Sequence, residues 1–312
     1  MNNLSFKKNI LVTGGAGFIG SHIVDRLIAL GNNVVVIDNF STGKEGNVSP
    51  SVKVYRLDTR DKEGLKSVFA EHKFDYVVHQ AAKINLNVMT EDTTDDITGS
   101  VLGTLNILNC CVEFKIKKII YASSVAVYGT PKKLPAEETD NLVPIYSYGI
   151  AKKCAEEYIK YFSDYYKLNY AILRYANVYG PRQTIHGEVG VIAIFCDRVI
   201  NGRPLTVYGD GTQTRDYIYV DDVADITLKM LEMGDREIFN VGCGRGITVN
   251  EVLKCFQGAA GIPLKIENKP LRVGEIGNFY SDTTKLVDRF KISPKISIKE
   301  GIQKTLFYYK NL

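Results

Sequence analysis

Tyr148 and Lys152 stand four residues apart, 24 residues past Ser124, and a phenol, an ammonium and a hydroxyl so arranged can move a proton. Four residues is about one helical turn, ~6 Å of rise, so tyrosine and lysine face the same way. An ammonium beside a phenol favours the phenolate, and a phenol held near the working pH serves as general base, with Ser124 free to hydrogen-bond the same substrate hydroxyl. Taken alone, the spacing more often describes a surface pair at the start of a helix. A second stretch argues against that: Thr13 to His22, TGGAGFIGSH, sets Gly14, Gly17 and Gly20 between an apolar strand and an amphipathic helix. The first glycine permits a tight turn, the second lets backbone approach a pyrophosphate, and the third lets helix pack on sheet, while the helix N-terminus offers free N–H groups. Asp38 follows at the distance expected of a carboxylate that holds a ribose. A 2′-phosphate would meet its charge, so NAD is the expected cofactor rather than its phosphorylated form.

The elements that must hold these residues are legible in the apolar pattern. Asn9 to Val12, Asn33 to Ile37, Val52 to Leu57, Tyr76 to Val78, Lys118 to Ala122 and Asn169 to Tyr175 read as strands. Between them lie helices whose apolar residues recur at helical spacing: Ile19, Ile23, Leu27 and Leu30; Leu65, Val68 and Phe69; Ile97, Val101, Leu105 and Leu108. Strict alternation of strand and helix predicts an α/β fold with a doubly wound parallel sheet, whose ligands gather at the C-terminal strand ends. Beyond Tyr175 the pattern changes to loops, short helices and isolated strands, where the substrate part is expected. Thr248 with Glu251, and Ser297 with Glu300, read as capping boxes opening two late helices.

The 312-residue chain is long enough for a full core and a smaller second domain. A net charge of +4 without a basic block speaks against a nucleic-acid partner. Six cysteines without a CxxC pair and four dispersed histidines suggest neither a metal site nor a disulfide framework. They read as reduced thiols of a cytoplasmic protein. The chain runs straight into its first strand, so no signal peptide is expected, and no apolar run reaches the ~18 residues of a membrane span.

TGGAGFIGSHIVD, VVVIDNFSTG, HQAAK, SSVAVYG, YGIAK, RYANVYGPRQ, GDGTQTRDYIYVDDVA and RVGE together closely resemble the extended short-chain dehydrogenase/reductases, and within them the UDP-glucose 4-epimerase group. The resemblance covers nearly the whole chain. It implies an NAD-binding Rossmann domain over residues 1–176 and a mainly UDP-sugar-binding domain over 177–312, with some later segments returning to the first. The cofactor would be held by Gly14, Gly17, Phe18, Ile19 and Gly20, with Asp38, Asn39, Ser41, Thr42 and Gly43 at the adenosine ribose and Asp58 and Thr59 on the adenine side. Ala81, Ala82, Lys83 and Tyr175 would complete that site. Tyr148 would be the catalytic base, Lys152 would hold the nicotinamide ribose and lower the tyrosine's pKa, and Ser124 would assist the proton. Asn177, Arg215 and Arg272 match positions that grip the UDP phosphates, and Phe279 a position that sets the size of the sugar pocket.

The implied reaction is interconversion of UDP-glucose and UDP-galactose through a transient 4-keto sugar, without net redox. A bulky Phe279 favours these over N-acetylated sugars. Other UDP-sugar 4-epimerases, acting on N-acetylhexosamines or uronic acids, share the resemblance. Dehydratases and decarboxylases of the same fold carry an acid just after the active serine or threonine, where this chain has Val125 and Ala126. An NAD-binding regulator without chemistry would be expected to lose part of the Ser124, Tyr148 and Lys152 set. Two positions depart from the pattern: Ser100 stands where relatives commonly have Asn, and Lys83 where they have Gln. A homodimer is implied through the helices beginning near Asp96 and Tyr148. Arg215 and Arg272 could also be plain surface charges, Arg215 pairing with Asp216.

Overall fold

The structure, a computed structural model, describes residues 7–82, 94, 96–184, 190–271 and 277–312. Lys83 and Arg272, two of the expected site residues, lie outside this set. In chain order the elements are β1 (Asn9–Thr13), α1 (Phe18–Ala29), β2 (Asn33–Asp38), β3 (Lys53–Arg56), α2 (Lys62–His72), β4 (Tyr76–His79), α3 (Gly103–Glu113), β5 (Lys118–Ser124), α4 (Ser147–Tyr166) and β6 (Asn169–Tyr175). Then follow β7 (Asn177–Tyr179), α5 (Val191–Ile200), β8 (Leu205–Tyr208), β9 (Thr214–Arg215), β10 (Tyr217–Tyr219), α6 (Val220–Lys229), β11 (Glu237–Val241), β12 (Ile247–Thr248), α7 (Val249–Ala260), β13 (Ile266–Lys269), α8 (Thr284–Phe290) and α9 (Ile298–Lys310).

Seven strands form one sheet in the order β11-β6-β5-β4-β1-β2-β3. β1 pairs in parallel with both β2 and β4, and the β2–β3 and β4–β5 pairs are parallel too. Strand order therefore reverses between β1 and β4, the switch point at which a doubly wound sheet opens a crevice beyond its C-terminal strand ends. Buried runs such as Val34 to Asp38 reflect cover on both faces of the sheet.

Two compact units divide the chain. The first comprises residues 1–127, 144–174 and 224–239; the second comprises 128–143, 175–223 and 240–312. The first unit's core joins Leu11, Val35 and Ile37 to the apolar faces of α2, α3 and α4, among them Leu65, Val68, Phe69, Ile107, Ile159 and Phe162. The helical periodicities hold with two corrections. Leu30 is half exposed, because it caps α1 rather than lying within it. Ile97 is also exposed: it sits in a seven-residue π-helical turn, Asp96–Leu102, whose wider winding rotates it off the buried face kept by Val101 and Leu108.

The second unit builds its core from α5, α7 and α9, with Phe195, Val252, Phe256, Ile302 and Leu306 packed against Tyr179, Tyr217 and Tyr219. Its strands form two-stranded sheets, β10 with β7, β12 with β9 and β13 with β8. The Thr248–Glu251 capping box is complete. At Ser297 the hydroxyl accepts from the Glu300 N–H, and the Glu300 carboxylate pairs with Lys304 on the exposed side instead of closing a box.

Candidate active site

The glycine turn has the shape that its residues predict. Gly14 adopts φ +67°, and a Cβ there would lie 2.8 Å from the Ala81 N. A Cβ on Gly20 would run into the Gly14 carbonyl oxygen and lie 2.9 Å from its carbonyl carbon. Turn and helix are thus in backbone contact. Gly17 caps α1 without any side-chain hydrogen bond, so the N–H groups of Phe18, Ile19 and Gly20 open the helix without a capping side chain. Such an end is suited to a pyrophosphate.

The loop after β2 is pinned onto this turn. Asp38, 7% exposed, accepts from the Ala16 N–H at 2.9 Å and the Phe40 N–H at 2.8 Å. An ionised carboxylate has about four acceptor positions, so two remain for ribose hydroxyls. The Ala16 carbonyl accepts in turn from Lys44 N and from Asn47 Nδ2, a role for Asn47 that a turn-forming sequence does not announce. Ser41 and Thr42 are exposed and Gly43 half-buried. Asn39 donates its Nδ2 to Asp58 at 2.8 Å. Arg60 donates to both Asp58 oxygens at 2.9 and 2.8 Å, which holds that carboxyl well below its usual range. Thr59 is buried, and its carbonyl accepts from the Asn106 side chain at 3.1 Å. These residues can cradle a dinucleotide: the turn leaves only backbone at the pyrophosphate position, and the acid next to it retains free acceptor capacity.

His79, counted among the dispersed histidines, is a supporting residue of the same end of the sheet. It is buried between Thr13 Oγ1 at 2.6 Å and Thr104 Oγ1 at 3.0 Å, and the Thr13 hydroxyl accepts from the Ala81 N–H at 3.2 Å. Burial, with the charge of Lys152 adding to it, pushes the imidazole down to about 3, so it is neutral. Ala81 and Ala82 are half-buried. Ser100 is buried; its carbonyl accepts from Thr104 Oγ1, while its own Oγ has no hydrogen-bond partner among the described residues.

Ser124 closes β5, and Tyr148 and Lys152 lie on the first turns of α4; the structure brings all three together. Ser124 lies close enough to the Tyr148 phenol to act on its ionisation, pulling the phenol's pKa down. Ser124 Oγ accepts from the Ala126 N–H at 3.2 Å. Tyr148 is 8% and Lys152 2% exposed, so they are not a surface pair. Lys152 donates to the Ala122 carbonyl at 2.5 Å and lies 5.8 Å from the centroid of the Tyr148 ring. The expected lowering of the phenol is not met in this structure. Burial pushes Tyr148 up to about 12 against the pull of Ser124, and pushes Lys152 down to about 7 against the attraction of Glu156. Lys152 Nζ thus gives a hydrogen bond to a backbone carbonyl and lies beside the Tyr148 ring.

The second unit holds Tyr175, Asn177, Arg215 and Phe279. Tyr175 is buried at the end of β6, and Asn177, half-buried on β7, donates its N–H to the Asp216 carbonyl at 2.8 Å. Arg215 donates Nη1 to the carbonyls of Thr214 at 2.8 Å and Gly277 at 3.0 Å. Asp216 is not a surface partner for it: fully buried, its carboxylate accepts from the Cys243 and Gly244 N–H groups and the Ser281 hydroxyl. Phe279 is 4% exposed, with its ring 6.2 Å from that of Tyr128. Among the described residues no group of three His, Cys, Asp or Glu could hold a metal.

A parallel sheet with a glycine cradle at its switch point, a ribose-side acid and a serine–tyrosine–lysine set defines a dinucleotide-dependent enzyme of the dehydrogenase type. The chain belongs to the NAD dependent epimerase/dehydratase family, which matches residues 10–242. It is 43% identical over 304 residues to a putative UDP-glucose 4-epimerase of Methanocaldococcus jannaschii, covering 97% of this chain and 98% of that one. It superposes on the crystal structure of UDP-glucose 4-epimerase with UDP-glucose from Thermotoga maritima at a TM-score of 0.94 and 41% identity, covering 97% and 99% of the two chains. The Thermus thermophilus UDP-glucose 4-epimerase complex with NAD gives 0.91 at 41% identity with the same coverage.

Proposed function

We propose that this protein is an NAD-dependent UDP-glucose 4-epimerase that interconverts UDP-glucose and UDP-galactose. The observation that carries the reading is the convergence of Ser124, at the end of β5, with the buried Tyr148 and Lys152 on the first turns of α4, in the same unit as the glycine cradle. NAD, when bound, supplies acceptance and return of a hydride. The chain's residues do the rest. Gly14, Gly17 and the α1 N-terminus hold the pyrophosphate, and Asp38 holds the adenosine ribose with its two unfilled acceptor positions. Tyr148 takes the proton of the sugar's 4-hydroxyl as the 4-keto sugar forms and gives it back as the hydroxyl is restored, with Ser124 Oγ bridging the two oxygens. Lys152 stabilises negative charge as it develops on the phenol. Asn177, Arg215 and Arg272 take the UDP phosphates.

No carboxylate follows Ser124, where Val125 stands, so the 4-keto sugar lacks an acid placed for elimination. Its fate is return to the alcohol. The reading is tested by offering the purified protein UDP-galactose, UDP-N-acetylgalactosamine, UDP-glucuronate and UDP-arabinose in separate assays. UDP-galactose is the expected best substrate; turnover confined to another sugar would replace the assignment.

The protein acts as a homodimer. On α4, Ile150, Tyr158, Tyr161 and Tyr165 share one exposed face, and Ile97 and Leu102 are exposed on the neighbouring π-helical turn, an apolar surface of the kind that a second copy covers. A monomer mass by light scattering at micromolar concentration would refute this. Six free cysteines support a reducing, cytoplasmic setting, and no described helix is long and apolar enough to cross a membrane.

A further inference from the structure

Tyr148, Lys152 and Glu156 recur every fourth residue along α4 and point onto the sheet, where Glu156 is fully buried. Both of its carboxylate oxygens are engaged. Oε1 accepts from the Ser123 hydroxyl at 2.5 Å and Arg174 Nε at 3.0 Å, and Oε2 accepts from Arg174 Nη2 at 2.7 Å. Ser123 lies on β5 between Ala122, whose carbonyl receives Lys152, and Ser124, which acts on Tyr148; Arg174 lies on β6. A buried ion pair adds little stability over an apolar pair of the same volume, because both charges lose their water. Its place beside Lys152 gives it a different use.

Lys152 carries its amino group into an apolar layer that disfavours the charged form. It faces the Tyr121 ring at 4.7 Å and the Ala122 carbonyl from β5, Tyr148 and Glu156 from its own helix, the neutral His79 from β4, and, through Glu156, Arg174 from β6. Among these described groups only Glu156 is an anion. We propose that Glu156, clamped from two strands by Ser123 and Arg174, is a positioning residue that keeps Lys152 charged and in register beneath Tyr148. Arg174 sets the strength of that effect, since its own charge neutralises part of Glu156. The role in turnover rests on the epimerase reading; the state of Lys152 does not.

Charge arithmetic separates this from a packing role. Glu156→Gln keeps the shape, removes the attraction and leaves the Arg174 charge unmasked, so both changes disfavour the Lys152 cation. Arg174→Met leaves Glu156 less neutralised. The test labels the lysine Cε positions of the full-length protein with ¹³C, identifies Lys152 by its loss in Lys152→Arg, and follows its shift with pH. The midpoint should fall by about one pH unit or more in Glu156→Gln and should rise or hold in Arg174→Met. Activity on UDP-galactose should lose at least ten-fold in kcat in Glu156→Gln with KM within about two-fold, as expected of a group that acts on the reacting state through Lys152. An unchanged midpoint in Glu156→Gln, or an equal fall in both variants, would overturn the proposal. If Glu156→Gln does not fold, the neutral double variant Glu156→Gln/Arg174→Met removes both charges of the pair, so the midpoint should fall in the same direction but by less than in Glu156→Gln, and a midpoint there equal to or above the unmutated one overturns it as well. Unmutated protein that binds NAD yet leaves UDP-galactose unchanged would sink the epimerase reading alone, because the Lys152 titration can still be read.

Discussion

Replacing Gly20 by alanine should impair both folding and cofactor binding, although alanine is ordinarily the better helix former. The added Cβ would lie 2.9 Å from the Gly14 carbonyl carbon and 3.0 Å from Gly15 Cα, and closer still to the Gly14 oxygen. Carbons in contact sit about 3.5–4.0 Å apart, so helix and turn must separate by roughly 0.5–1 Å. Every atom met is backbone, so no side chain can swing aside. Relief comes from moving the start of α1 away from Gly14, which spreads the N–H groups that should converge on the pyrophosphate. Overpacking of this kind costs about 1–3 kcal/mol, and if that falls on the bound geometry NAD affinity drops roughly 5- to 150-fold. Gly258 on α7 supplies the opposite case: it is exposed, inside a helix, and a Cβ would meet nothing within 4 Å. Gly258→Ala should therefore stabilise by about 0.5–1 kcal/mol and leave NAD binding untouched. Calorimetric titration with NAD and urea unfolding of both variants make the comparison. Gly20→Ala binding NAD within two-fold of the unmutated protein would refute the claim that backbone contact shapes the cradle.

Three further outcomes are expected. Tyr148→Phe should lower kcat by about 10²–10⁴-fold while NAD binds as before, and turnover within a few-fold of normal would remove Tyr148 from its assigned role. His79 is neutral when folded, with its pKa near 3 against about 6.5 unfolded. Between those values the unfolded chain binds the extra proton, so stability falls as pH drops through this window by up to about 1.4 kcal/mol per unit. His79→Gln should flatten urea-derived stability between pH 6.5 and 4.5 by about 2 kcal/mol, and parallel curves would show that His79 does not contribute. Phe279→Ser should raise kcat/KM for UDP-N-acetylgalactosamine relative to UDP-galactose by roughly ten- to a hundred-fold, and an unchanged ratio would leave Phe279 as core packing beside Tyr128.

What the sequence made legible is local. Gly14, Gly17, Gly20 and Asp38 are spaced within one strand–turn–helix–strand unit, so their geometry follows from chain order, and α2 buries Leu65, Val68 and Phe69 as its period requires. Errors arose where an element departed from ideal winding, as with Ile97 in the π-helical turn, or ended early, as at Leu30. Polar residues were harder to read because their partners are distant in sequence. Thr13 and Thr104, which hold His79, come from different strand–helix units, and nothing near Asp216 in the chain announces Ser281 as its partner. Arg174 did carry a signal, a charge within the apolar strand NYAILRY. Such a residue must find a buried counter-charge, and Glu156, one turn beyond Lys152, was available to provide it. The ionisation of the phenol is not legible in the sequence, because spacing reports which side chains are near each other, whereas ionisation depends on burial and on where each hydrogen bond goes.

The most direct measurement of the central claim is turnover of UDP-galactose in D₂O with NAD, followed by ¹H NMR and mass spectrometry of the sugar. Hydride that leaves C4 and returns from the same cofactor never exchanges with solvent, so the expected product is UDP-glucose that carries hydrogen, not deuterium, at C4, with no deoxy sugar formed. Deuterium at C4, a 4-keto-6-deoxy product, or unreacted UDP-galactose in the presence of bound NAD would contradict it.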